Sequence, residues 1–159
     1  MNLILFSDQD RIDVDKVVLR DERFRQITKV HRSSTNDSVR IGELNGLMGE
    51  GTIRRINLDS VEIEVDLKQS PPDKLPLTII LSLPRPKMIR RIFRSIAEFG
   101  VQELIVINSY KVEKSFWQSP ALEEKNVQQY LINGLQQSKD TILPKVSFKK
   151  LFKPFVEDE

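Results

Sequence analysis

Between Leu77 and Tyr110 the hydrophobic pattern changes character twice. Leu77-Thr78-Ile79-Ile80-Leu81 is a short apolar run, Pro84 and Pro86 interrupt it, and Ile89, Ile92, Phe93, Ile96 and Phe99 then recur at helical spacing as far as Gly100. Leu104-Ile105-Val106-Ile107 is a second apolar run. This order predicts a strand, a crossover helix with one apolar face, and a parallel strand. Pro86 suits the first helical position, where its missing N–H costs nothing, and Gly100 suits a left-handed residue just past the helix end. Lys87, Arg90, Arg91 and Arg94 fall opposite the apolar face, with Arg85 just before them.

The chain before this unit alternates with period two. Leu3 to Phe6 predicts a strand, Asp8 to Asp15 a loop, and Val17 to Leu19 another strand, after which Asp21 caps a short helix carrying Phe24, Ile27 and Val30. Ser33 to Asp37 is a loop. Val39 to Ile41, Thr52 to Ile56 and Val61 to Leu67 read as strands, with Asn45-Gly46 as a tight turn, Gly49 and Gly51 as bends, and Asn57 to Ser60 as a further turn. Short antiparallel strands at this spacing suggest a small barrel or an open meander. Gln69-Ser70-Pro71-Pro72-Asp73 marks a linker, giving a β domain over 1–72 and an α/β domain over 73–159. In the second, a loop runs from Asn108 to Gln118. Ser119 caps a helix from Pro120 to Ser138 whose buried stripe is Val127, Leu131 and Leu135, and Val146 to Phe148 forms a third strand. The overall class is α+β. Two helices are few for a parallel sheet buried on both faces, and Leu151, Phe152, Phe155 and Val156 supply apolar surface without a finished element.

Composition narrows the chemistry. With 39% hydrophobic and 30% charged residues the chain is globular, and the absence of cysteine together with a single histidine argues against disulfides, thiolate metal sites and a histidine-based triad. No run approaches the roughly 18 apolar residues of a membrane span, so a cytoplasmic protein is expected. The net charge of +2 hides two basic stretches, Arg23, Arg25, Lys29, Arg32 and Arg40 in the first domain and Arg85 to Arg94 in the second. Either is an ordinary solvated surface or a set of phosphate contacts.

Several strings carry a family resemblance. Val30-His31-Arg32, Asp37 to Gly42 and Ala97-Glu98-Phe99-Gly100-Val101, with Ile107 to Pro120 and Gln137 to Thr141, resemble the ribosomal small-subunit RNA methyltransferase E family along essentially the whole chain. The resemblance implies a PUA-like RNA-binding barrel followed by the amino-terminal half of a SPOUT (trefoil-knot) α/β domain. It also implies an S-adenosylmethionine-dependent homodimer that methylates N3 of a uridine in 16S ribosomal RNA. The family's knot loops are not found before Glu159, so the expected pocket for the cofactor is absent from these residues and the chain alone is expected to be inactive. This sequence has His31, Asn36 and Ser95 where leucine, glycine and lysine are common in the family.

The expected division of labour follows. Arg23, Arg25, Lys29, Arg32 and Arg40, with Arg85, Lys87, Arg90, Arg91 and Arg94, are candidate RNA contacts, and Arg54 and Arg55 are weaker ones. By the resemblance Gln137 and Ser138 orient substrate; by sequence alone they equally well just end a helix. Tyr110 and Trp117 are expected to pack in their loop, with base stacking as the alternative. His31 reads as a packing or surface residue and not a base. No catalytic or metal-binding residue is assigned. The competing function is a free-standing RNA-binding module without catalysis.

Overall fold

The computed structural model describes residues 2–30 and 32–151, so His31, Phe152, Phe155 and Val156 lie outside the described residues. Two compact units result, Met1–Pro71 with Lys139–Ile142, and Pro72–Ser138 with Leu143–Glu159.

The first unit is a six-stranded sheet made of β1 (Ile4–Phe6), β2 (Arg11–Asp13), β3 (Lys16–Leu19), β4 (Ser38–Glu43), β5 (Met48–Ile56) and β6 (Val61–Gln69). The strand order is β1-β4-β5-β6-β3-β2, with β1 parallel to β4 and every other pair antiparallel. Alternation decides the faces. Val61, Ile63 and Val65 enter a core with Ile4, Phe6, Val17, Leu19, Ile41 and Ile53, while Glu62, Glu64 and Asp66 point the other way. Ile27 covers this core from a short helix, α1 (Asp21–Arg25), which continues as a π-helical turn over Gln26–Val30.

Side chains join the two edges of this sheet. Arg11 on β2 lies 5.1 Å over the ring of Phe6 on β1 and forms a two-toothed pair with Glu43 on β4, at 2.8 and 3.2 Å. A cation stacked on one edge strand and paired beside it holds the edges together where no ladder connects them among the described residues.

Two sequence expectations change here. Asp8 to Asp15 is not all loop: a 3-10 turn over Asp8–Asp10 leads directly into β2, because the Asp10 carboxylate accepts the Ser7 N–H at 2.8 Å and turns the chain. Gly49 and Gly51 are not bends either, since β5 runs through both. They are needed for close approach. A β-carbon on Gly51 would sit 2.6 Å from Cγ2 of Ile63, and one on Gly49 would strike the carbonyl oxygen of Asp66 on β6. The turn at Asn45-Gly46 forms as expected, with Asn45 at φ +61°. It is held from far along the chain: Asn45 N–H donates to the Thr141 carbonyl at 2.8 Å, and Thr141 Oγ1 donates to the Gly46 carbonyl at 2.6 Å.

The second unit is a three-stranded parallel sheet, β7 (Leu75–Ser82), β8 (Val101–Ile107) and β9 (Lys145–Lys149), in that order. The crossovers are α2 (Pro86–Glu98) and α3 (Glu124–Ser138). Register puts Ile79, Leu104 and Val146 in one cross-strand row and Leu81, Val106 and Phe148 in another on the same face. Both helices cover that face. Phe93 of α2 meets Phe148 edge-on at 6.4 Å and stacks with Tyr130 of α3 at 6.4 Å, while Val127 and Leu131 of α3 share a groove with Val146 and Phe148. Both described helices therefore lie on one face of the sheet. The other carries the polar row Thr78, Glu103 and Lys145, joined at 3.2 and 2.8 Å, followed by Ile80, Ile105 and Ser147. The hydrogen bond from Lys145 holds Glu103 below the usual carboxylate range.

The helices also depart from expectation in two places. The helical spacing places Phe99 on the buried face of α2, yet it is 72% exposed, because the helix has ended and the chain is already turning at Gly100, φ +68°. The expected helix from Pro120 is interrupted. Ser119 caps a 3-10 turn over Pro120–Leu122 by accepting the Ala121 N–H at 3.2 Å, and an extended Glu123 separates that turn from α3.

Candidate nucleic-acid interface

Parallel strands leave their carboxyl ends on one side, where side chains from successive loops converge. Here Ser82, Ile107 and Lys149 lie in register at those ends. Ser82 Oγ is hydrogen-bonded to Ser109 Oγ at 2.7 Å, fixing the start of the loop after β8. An open cavity of about 500 Å3 follows, lined by Asn108, Ser109, Tyr110, Val112, Lys114 and Trp117. Trp117 sits in a 3-10 turn over Lys114–Gln118, donates its indole N–H to Asn108 Oδ1 at 3.0 Å, and rests edge-on against Phe148 at 6.4 Å. Lys150 Nζ lies 5.7 Å from its ring centre. Packing and cavity lining therefore coexist in Trp117. Tyr110, expected to pack, is fully exposed at the cavity wall.

On α2 the basic stripe is a geometric fact. Ile89, Phe93, Ile96 and Ala97 are buried, and Lys87, Arg90, Arg91 and Arg94 are exposed at i, i+3, i+4 and i+7. Arg94 is engaged with Glu98 at 2.7 Å, whereas Arg85, Lys87, Arg90 and Arg91 have no partner among the described residues. Like charges three and four residues apart repel one another, so the stripe favours a bound anion.

The first unit's cations separate by environment. Arg23 grips both oxygens of Asp10 at 2.7 and 2.8 Å, and also bonds Asp21 and the Leu5 carbonyl. Burial pulls its pKa down, but the hydrogen bonds to Asp10 and Asp21 outweigh it and raise the net value. Burial likewise pushes the Asp10 carboxyl up, and the Arg23 and Ser7 hydrogen bonds reverse this, leaving it below its ordinary value. Arg23 is a tie within the fold. Arg25 is exposed near Glu22 at 3.5 Å, and Lys29, Arg32 and Arg40 are exposed, Arg40 standing across the ladder from Glu50. Arg54 pairs with Glu64 at 2.8 Å; Arg55 is exposed.

At the end of α3, the Ser138 hydroxyl folds back onto the carbonyls of Gly134 and Leu135 at 3.2 and 3.4 Å, which is helix-end geometry; Gln137 beside it is exposed. Among the described residues no group of three or more acidic or histidine side chains could hold a metal ion, and no helix is long and apolar enough to cross a membrane. The reading from sequence missed Asn108, Lys114 and Lys150. Asn108 had one available signal, its position directly after the central strand.

Residues 71–159 match the family described as RNA methyltransferase domain. The ribosomal RNA small subunit methyltransferase E of Treponema pallidum is 28% identical over 160 residues, covering 98% of this chain and 59% of that protein. The chain thus spans about three fifths of that relative's length. Among solved structures, a probable rRNA-methyltransferase from Porphyromonas gingivalis matches with a TM-score of 0.74 at 17% identity, covering 96% of this chain and 63% of that one. The ribosomal RNA small subunit methyltransferase E from Neisseria gonorrhoeae bound to S-adenosyl methionine matches at 0.71 and 18%, covering 92% and 62%. The fold is therefore shared, and with more than half its length matched this chain belongs to the RNA methyltransferase domain family, in its ribosomal small-subunit methyltransferase E branch.

Proposed function

We propose that these residues form the RNA-recognising, amino-terminal portion of an S-adenosylmethionine-dependent methyltransferase that acts on N3 of a uridine in 16S ribosomal RNA. The six-stranded sheet is read as a PUA-like barrel and the parallel unit as the first half of a SPOUT domain, in a cytoplasmic homodimer. The observation that carries this reading is the family match over residues 71–159, together with the curated relatives of that name. Lys29, Arg32 and Arg40 in the first unit and Arg85, Lys87, Arg90 and Arg91 in the second are the cations we assign to phosphate. Arg25 and Arg94 join them when Glu22 and Glu98 exchange for RNA, and Arg23 does not. Gln137 is kept as a substrate-side residue and Ser138 as its helix end.

The cofactor brings a sulfonium cation, a ribose diol and an amino-acid carboxylate. Among the described residues that line it, the cavity after β8 offers Lys114 and neutral side chains, with no carboxylate for the sulfonium or the diol. Its chemistry does not match the cofactor, and no cofactor contact is assigned to it.

Binding of a small-subunit ribosomal RNA fragment in a salt series tests the RNA assignment. If four contacts form on single-stranded RNA, affinity falls roughly fifty-fold between 50 and 200 mM salt, from a slope of about −0.7 per contact. An affinity unchanged by salt would overturn it. Calorimetry with S-adenosylmethionine tests where the cofactor binds: tight binding by these residues alone would refute the division of labour proposed here.

A further inference from the structure

The cavity at the carboxyl end of β8 is built for a flat, neutral ligand tethered to an anion. Two of its walls are aromatic, Tyr110 and Trp117, and Tyr110 is fully exposed although an aromatic ring gains by being covered. The indole N–H of Trp117 is already satisfied by Asn108, which leaves ring surface as what that side chain offers. The same bond fixes the Asn108 amide. Its Oδ1 must face the indole donor, so Nδ2 points away from it with two hydrogens that have no partner among the described residues. Lys114 at the cavity wall and Lys150 beside the Trp117 ring add positive charge. The volume of about 500 Å3 admits one nucleotide and excludes a duplex.

We propose that this cavity holds one unpaired nucleobase of the bound RNA, stacked on Tyr110 beside Trp117, with a base carbonyl at Asn108 Nδ2 and the adjoining phosphate near Lys114. The proposal rests on the RNA-binding reading above and adds to it a position where a base, and not only the backbone, is engaged. A keto base supplies the acceptor that the Asn108 amide requires.

Trp117 is the chain's one tryptophan, so its emission reports on this cavity directly. A short fluorescein-labelled oligouridylate is titrated against the 159-residue chain at low salt, following anisotropy for binding and tryptophan emission, with unlabelled RNA, for base contact. An abasic oligomer of the same length and charge is the control. The oligouridylate is expected to quench Trp117 and the abasic oligomer to bind without quenching. Tyr110→Ala, which removes a solvent-exposed ring and leaves the fold intact, is expected to weaken oligouridylate at least about five-fold and leave the abasic oligomer unaffected. Binding by anisotropy with unchanged emission, or equal quenching by both oligomers, overturns the base site alone. No binding of either oligomer overturns the RNA reading beneath it.

Discussion

Gly134 of α3 faces the Arg94 carbonyl of α2 so closely that a β-carbon at 134 would run into that oxygen and lie 2.8 Å from Cβ of Ala97. Alanine is the better helix former by about 1 kcal/mol. Contact overrides that preference, since the obstacle is backbone and cannot rotate aside. Gly134→Ala is expected to destabilise the second unit by about 1–3 kcal/mol. A urea midpoint equal to or above wild type would show that the helices separate freely.

The Asp10–Arg23 pair sets an acid limit on the first unit. Asp10→Asn leaves Arg23 half-buried with one carboxylate fewer and is expected to cost about 2 kcal/mol at neutral pH. Because the folded pKa of Asp10 lies below its ordinary 3.8, the pair's contribution is full above that value and fades as pH falls through the folded pKa. Chemical denaturation of wild type and Asp10→Asn should therefore converge below about pH 4. Curves that stay parallel into acid would mean that the carboxylate is not what stabilises this corner.

Phe93 and Phe99 lie six residues apart, with opposite consequences expected. Phe93 is fully buried between Tyr130 and Phe148, so Phe93→Ala should cost about 3–5 kcal/mol. Phe99→Ala, at an exposed position, should stay within about 0.5 kcal/mol. Comparable losses in thermal melts of the two variants would contradict the register of α2.

Reversing Arg90 and Arg91 to glutamate should leave the melting temperature unchanged, as both are exposed, and shrink the salt slope of RNA binding by at least about 1.4, or 0.7 for each contact removed. An unchanged slope would remove the α2 stripe from the RNA surface.

Much of this was legible in the sequence for identifiable reasons. Pro86 and Gly100 bracket α2 because one fixes φ and the other tolerates a left-handed turn, and both requirements are local. Val61, Ile63 and Val65 alternate because one face of β6 is wet. What stayed hidden depends on distant partners. Arg23 looked like its basic neighbours until Asp10, thirteen residues earlier, came to face it. Gly49 and Gly51 have the composition of a bend, and only the proximity of β6 shows them to be places where no side chain fits. Tyr110 was read as packing because aromatics usually do, and the direction of a loop side chain is not encoded by period.

The reach of Thr141 back to Gly46, across 95 residues, bears on how the protein can be dissected. A gene fragment ending at Pro71 would express all six strands and still deprive the Asn45-Gly46 hairpin of its acceptor and its donor. Excision of the first unit as a stand-alone module therefore calls for grafting Lys139–Ile142 back beside that hairpin, because its boundary is drawn in space and not along the chain.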